Sequence, residues 1–186
     1  MIGYAFCGSF CTHQKSLVQL ELLLKKGYEI QPIMSECVYT TDTRFGEAET
    51  LRSRVEALCQ KNIIHTIVDA EPLGPKIDLE ALVICPCTGN TLAKIANGIT
   101  DTAVCMAAKA QLRSDKPLIV ALASNDALSA NLRNIATLLS KKYVYFVPMI
   151  QDDPVAKPHS LVANFDRLPE TLERALNGYQ YRKVFE

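Results

Sequence analysis

Between Ala81 and Cys85 five apolar residues run without a polar break, and Pro86 stops them at once. A strand of this composition shows no in–out alternation, so both of its faces must be buried. That is the habit of a parallel sheet covered by helices on each side. Four small residues follow (Thr88, Gly89, Asn90, Thr91), and then Leu92, Ile95, Ala96 and Ile99 fall at helical spacing. A buried strand, a tight polar loop and a helix start aim backbone N–H groups at a polar or anionic ligand. Ligands of such sheets sit beyond the carboxyl ends of the strands. Cys87 to Thr91 is therefore expected to form one wall of a site.

The rest of the chain repeats the alternation. Strands are expected at Met1–Phe6, Tyr28–Met34, Ile63–Val68, Leu118–Ala123 and Val144–Val147, with Pro32 marking an edge position. Helices are expected at His13–Lys26, Glu47–Gln60 and Thr102–Arg113, along the apolar face Leu128, Leu132, Ile135 and Leu139, and near Leu168–Leu176. Asp69–Lys76, with two prolines and a glycine, reads as an irregular connection. With the Ala81 strand this makes an α/β fold, a doubly wound, mostly parallel six-stranded sheet with helices on both faces, Rossmann-like or flavodoxin-like. No repeat or long linker divides the chain, so a single domain over residues 1–186 is expected.

Four loops place hydroxyls or amides after apolar strands: Gly8-Ser9, Ser35, Thr88 to Thr91, and Ser124-Asn125. Taken singly, Gly8-Ser9 reads equally as an ordinary strand-to-helix turn, and Ser35 as a helix cap. Taken together they set polar groups along one edge of the sheet. Arg44, in the polar stretch before the second helix, is a candidate carboxylate clamp because guanidinium grips carboxylates bidentately. Lys109 and Arg113 lie one helical turn apart and read as solvated charges or as contacts for an acidic ligand.

Twenty basic residues balance twenty acidic ones, so neither a nucleic-acid footprint nor an anionic-membrane patch is expected. No apolar run reaches the length of a membrane span, and the chain opens on a core strand rather than a basic, then apolar leader. Seven cysteines, several within apolar runs, suit a reducing cytoplasm. Cys85-x-Cys87 has no matching Cys/His pair, so no metal site is expected. Cys87, at a helix start, is a candidate thiol nucleophile, yet none of the three histidines is placed by sequence to serve as its base.

The segment CPCTGNTLAKIANGITD resembles the Pro-Ala-Ser-Ala-Asn-Thr region of the flavoproteins that include the cysteine decarboxylases of peptide and coenzyme A biosynthesis. Pro86, Asn90, Thr91, Lys94, Ile95, Ala96, Asn97 and Gly98 match that pattern. The strings TRFGE, AEPLGPK, TGN, MAAKA, NDAL and YFVP narrow the likeness to one branch. That branch is the B subunits of the enzymes that make pyridine-2,6-dicarboxylate in endospore-forming bacteria. The resemblance implies a cytoplasmic homo-oligomer in the mother cell of a sporulating bacterium. It also implies FMN as cofactor and the A subunit of the same enzymes as functional partner. NAD(P) would be held through that partner, and the reaction would be oxidation of a dihydropyridine dicarboxylate. By carry-over Gly8, Ser9 and Ser35 hold the FMN phosphate. Thr88, Gly89, Asn90 and Thr91 face the ribityl chain and ring, and Ser124 lies beside them. A doubly negative substrate would meet Asn125, Arg44, Lys109, Arg113 or Lys157. The decarboxylases' catalytic histidine falls near Pro72, and Leu122 and Ser124 replace a proline and a methionine of their substrate motif. Two further readings stay open: a non-catalytic partner of the A subunit that keeps the fold, and a decarboxylase of small acids with another acid in place of the histidine.

Overall fold

A computed structural model describes residues 1–186. Five parallel strands form its centre: β1 (Ile2–Phe6), β2 (Ile30–Met34), β3 (Ala81–Cys87), β4 (Leu118–Ser124) and β5 (Val144–Phe146). Their spatial order is β2-β1-β3-β4-β5. The chain leaves β1 toward one edge to make β2 and crosses to the other side of β1 for β3, so the winding reverses between β1 and β3. All seven residues of β3 are buried, as its unbroken apolar run requires.

Eight helices cover the sheet: α1 (His13–Lys25), α2 (Glu36–Thr40), α3 (Ala48–Cys59), α4 (Ile67–Ala70), α5 (Gly89–Ala96), α6 (Ala103–Arg113), α7 (Leu132–Leu139) and α8 (Leu168–Leu176). Alternate residues of each strand serve opposite faces. Ile2, Tyr4 and Phe6 pack with Leu17, Leu20 and Leu23 of α1 and with Leu168 and Leu172 of α8. Ala5 and Cys7 pack with Leu92 of α5, Val104 of α6 and Ile135 of α7. The two clusters are similar in size, 28 and 24 buried residues, so neither face of the sheet is solvated. One buried polar tie crosses the second cluster. The Tyr4 hydroxyl donates to the Ser16 carbonyl at 2.8 Å, and the Ser16 hydroxyl donates to the Cys85 carbonyl.

The α/β class and the two helical layers agree with the sequence; the strand count does not. Ile63–Val68 is not a strand. Ile64 alone bridges Ile33 on the outer edge of β2, and Thr66 then caps α4 by accepting the Asp69 N–H at 3.1 Å. Pro32 fits that edge: its carbonyl accepts from Ile64 rather than from β1, so the N–H it lacks would also point outward. Two short strands, β6 (Met149–Ile150) and β7 (Leu161–Ala163), pair antiparallel with each other, and β7 pairs antiparallel with the end of β4. The sheet therefore has seven strands rather than six. The seventh helix also starts later than Leu128 suggests. Leu128 sits in a turn and donates its N–H to the His159 carbonyl at 2.9 Å.

The burial of α1 sets a test of the packing. Leu20→Ala, at a fully buried position, should destabilise by about 2–5 kcal/mol. Val18→Ala, on the exposed side of the same helix, should stay within about 0.5 kcal/mol. Urea denaturation of both variants measures the difference.

Candidate functional site

The loops after β1, β3 and β4 end in one cleft of about 760 Å³, within the range of small-molecule sites, roughly 300–1,000 Å³. It lies beyond the carboxyl ends of the strands, where the winding reverses. Gly8, Ser9, Thr88, Gly89, Asn90, Ser124 and Asn125 line it, and so do Arg44 and Lys157. Chain segments far apart in sequence are thus brought to one rim.

The β3–α5 turn is built by capping. The Thr88 hydroxyl accepts the Thr91 N–H at 3.2 Å, which leaves the N–H groups of Gly89 and Asn90, the first of α5, without an acceptor in the chain. Gly89 is required by what lies across from it. A Cβ there would sit 2.6 Å from Asn131 Nδ2 and 2.8 Å from Asp126 Oδ1. The Asp126 carboxylate accepts from the Ser124 hydroxyl and, at 3.0 Å, from the Asn131 amide. These bonds, the Ser124 one foremost, hold its pKa below the usual carboxylate range. Asp152 is likewise lowered, by hydrogen bonds from Ser160 and Lys157, with Lys157 Nζ 3.0 Å from its carboxylate. Arg44, in contrast, has no carboxylate partner and lies 4.8 Å over the ring of Phe45.

Four expected site residues lie outside the cleft. Thr91 is buried, its hydroxyl donating to the Cys7 thiol at 3.4 Å. Ser35 is buried one layer behind Gly8, with its hydroxyl 3.2 Å from Cys37 Sγ. That sulfur in turn sits 3.1 Å from the place of a Gly8 Cβ. Lys109 and Arg113 line a separate cavity of about 290 Å³ with Leu73 and Pro75. Their helix runs on into the start of β4, so its last turn points to the amino ends of the strands, away from the cleft. Cys87 is not poised as a nucleophile. It is fully buried, and burial pushes its thiol pKa well above the ordinary value. Pro72 stands by the outer edge of β2 beside Gln31 and Ile64, in another cavity.

Phe10, Phe45, Asp126, Asp152 and Ser160 also line the cleft and were not singled out by sequence. The last two reach the cleft because β6 and β7 fold the stretch between them over its rim. Only the polar, proline-bearing run Gln151–Ser160 signalled such a loop. The cleft holds two cations and two lowered carboxylates, and no carboxyl group raised toward neutrality. Its free donors are the first amides of α5, the Ser9 hydroxyl and the Asn90 and Asn125 side chains. They suit a phosphate, a polyol or a polar ring edge.

A 2-1-3-4-5 parallel sheet with a polar cleft at its winding reversal defines the flavodoxin-like α/β class. Within it, the chain matches the family model named Flavoprotein over residues 2–167, and it belongs to that family. It is 43% identical to the B subunit of dipicolinate synthase from Bacillus subtilis over 183 residues, 98% of this chain and 92% of that one. The crystal structure of the B subunit of dipicolinate synthase from Bacillus halodurans superposes with a TM-score of 0.92 at 44% identity, covering 100% of this chain and 95% of that one. The FMN-dependent cysteine decarboxylase SpaF, at 23% identity, shares the fold with a TM-score of 0.67 over 94% of this chain and 95% of its own. The resemblance read from CPCTGNTLAKIANGITD is thus met by the family, and no helix is long and apolar enough to cross a membrane.

Two outcomes check this geometry. Cys11 and Cys37 are the exposed thiols among the seven cysteines, and burial holds Cys7 and Cys85 up at about 12. An aromatic disulfide reagent should therefore titrate two thiols in the native protein and seven after unfolding. Gly89→Ala should lower stability by about 1–3 kcal/mol through overpacking, read as a drop in the melting temperature.

Proposed function

We propose that this chain is the B subunit of a dipicolinate synthase, that it binds FMN, and that it works with the A subunit to oxidise dihydrodipicolinate to dipicolinate. The observation that carries this reading is the convergence of three strand-end loops on one cleft whose donors are free. The 43% identity to the B subunit of dipicolinate synthase over 98% of the chain supports the choice of substrate.

The donor set fits FMN. The Gly8-Ser9 turn and the first amides of α5 offer N–H and hydroxyl donors for a phosphate, and Asn90 and Thr88 border the path of a polyol. Ser124 positions Asp126, whose carboxylate can accept from ribityl hydroxyls. When bound, FMN supplies a two-electron acceptor, which is what aromatising a dihydropyridine demands. The substrate is a dianion and needs a cation. Arg44 fills that role best, since Lys157 is already neutralised by Asp152; Asn125 offers a second donor to a carboxylate. Lys109 and Arg113, at the other end of the sheet, take no part in this proposal. A decarboxylase reading is weaker, because Pro72 and its surroundings lie apart from the cleft and no neighbouring carboxyl replaces a general acid.

In this proposal the chain works as one unit over residues 1–186, in the cytoplasm of the mother cell during sporulation. It forms a homo-oligomer, and NAD(P) enters through the A subunit. Titration of FMN with the purified chain, first by itself and then with the A subunit, should quench flavin fluorescence saturably. Asn90→Ala should weaken that binding by about threefold to tenfold, the scale of one or two neutral hydrogen bonds. Absence of quenching in both mixtures would instead favour a non-catalytic partner of the A subunit.

A further inference from the structure

Next to the cleft lies a second cavity of about 200 Å³, between α1, the loop after α2, and α3. Phe10, Cys11 and Phe45 line both spaces, so the two meet at these residues. Leu17, Val38 and Leu51 give it an apolar side, and His13, Gln14, Thr43, Glu47 and Arg54 a polar one. An apolar cavity of about 150 Å³ takes up benzene, so this one has room for a single six-membered ring with a small substituent. Phe45, on the solvent side of that junction, is 54% exposed, and it stands on the loop that carries Arg44.

His13 is the unusual group. Only 9% of it is exposed, and its Nε2 lies 2.8 Å from the Cys7 carbonyl oxygen. A carbonyl only accepts, so Nε2 carries the proton and Nδ1 keeps its lone pair. Nδ1 has no hydrogen-bond partner in the chain. The ring is wedged between Phe6, edge-on at 6.0 Å, and Phe10 at 5.2 Å, so its orientation is fixed. The ionisable groups around it are the Cys7 and Cys11 thiols and, on the α3 side, Glu47 and Arg54, with Arg54 held at 2.7 Å by Glu21 of α1.

We infer that this cavity is a second subsite, taking the ring of a small planar acid, and that His13 receives a proton there through Nδ1. The inference rests on the proposed oxidation of a dihydropyridine dicarboxylate, with its ring seated here and its reacting edge where this cavity meets the adjoining cleft. That reaction breaks two C–H bonds on neighbouring ring carbons. One hydrogen leaves with both electrons, as hydride, to an acceptor of the flavin class. The other leaves as a proton to Nδ1, and its electron pair becomes the new double bond of the aromatic ring. Burial lowers the His13 pKa from its ordinary value, so the imidazole is neutral and able to accept at pH 7. Glu47 shares the cavity, which disfavours two carboxylates inside it. One carboxylate then stays at the mouth with Arg44.

The test is a histidine-labelled NMR titration of the full chain, loaded with FMN, with and without dipicolinate as the probe. A bound anion stabilises imidazolium, so dipicolinate should raise the His13 midpoint by about one unit. By linkage, its affinity should then grow about tenfold as pH falls through that midpoint. His65 and His159 should not move. Leu51→Phe, which fills the cavity, should weaken dipicolinate binding tenfold or more and leave FMN quenching unchanged. If dipicolinate binds without moving the His13 midpoint, or binds Leu51→Phe as it does the parent, the subsite is wrong and the flavin reading survives. If neither FMN nor dipicolinate binds, with or without the A subunit, the flavin reading falls and the subsite with it.

Discussion

Burial of β3 on both faces is the constraint from which the rest follows. A strand with no polar face must lie between neighbours in the sheet and between helices above and below it. It therefore takes the middle, with β1 on one side and β4 on the other. Its buried carbonyl at Cys85 is reached by Ser16 of α1, which Tyr4 of β1 engages in turn. Strand, neighbour and covering helix are so held by one short chain of polar bonds within an apolar layer. A buried polar chain of this kind stabilises only while every member is satisfied. The position of α1 over β1 and β3 is accordingly fixed, and with it the loop Cys7–Thr12 that opens the cleft.

That placement divides the polar groups of the cleft into two sets. Ser124 and Asp126 are engaged with each other and with Asn131, Lys157 is engaged with Asp152, and they shape the rim. Ser9, Asn90, Asn125, Arg44 and the first amides of α5 are unengaged, and they are the ones able to meet a ligand. The division explains why a chain of zero formal charge can still present a cationic group to an anion. One of the cleft's two cations is paired, and the other is not.

How much of this could be read from the sequence depended on the range of the interaction involved. The buried strands and the turns after them are local signals, so Gly8, Ser9, Thr88, Gly89, Asn90 and Ser124 could be set on one rim from spacing alone. Ile63–Val68 misled because its β-branched residues favour a strand, while Thr66 caps a helix turn and only Ile64 finds an edge to pair with. Thr91 misled because a hydroxyl at a helix start can turn inward, and here it meets Cys7, which is 84 positions away. Lys109 and Arg113 were legible as a pair of charges; the direction of α6, which takes them to the wrong end of the sheet, was not. Asp152 and Ser160 depended on β6 and β7, strands too short to show a period.

The loss of a histidine near Pro72 and the setting of His13 belong to one argument about acid–base groups. A decarboxylase-like acid would have to stand over the cleft, and the carboxylates there are held ionised by their donors. A dehydrogenation needs no such acid. It needs a neutral base beside an electron acceptor, with its lone pair free. Of the three histidines, His65 is stacked flat on Tyr39 at 3.6 Å and His159 is exposed on the β6–β7 loop. Only His13 is buried, fixed in tautomer and set at the edge of a ring-sized space, and it occupies that position because α1 is tied to β1 and β3 beneath it.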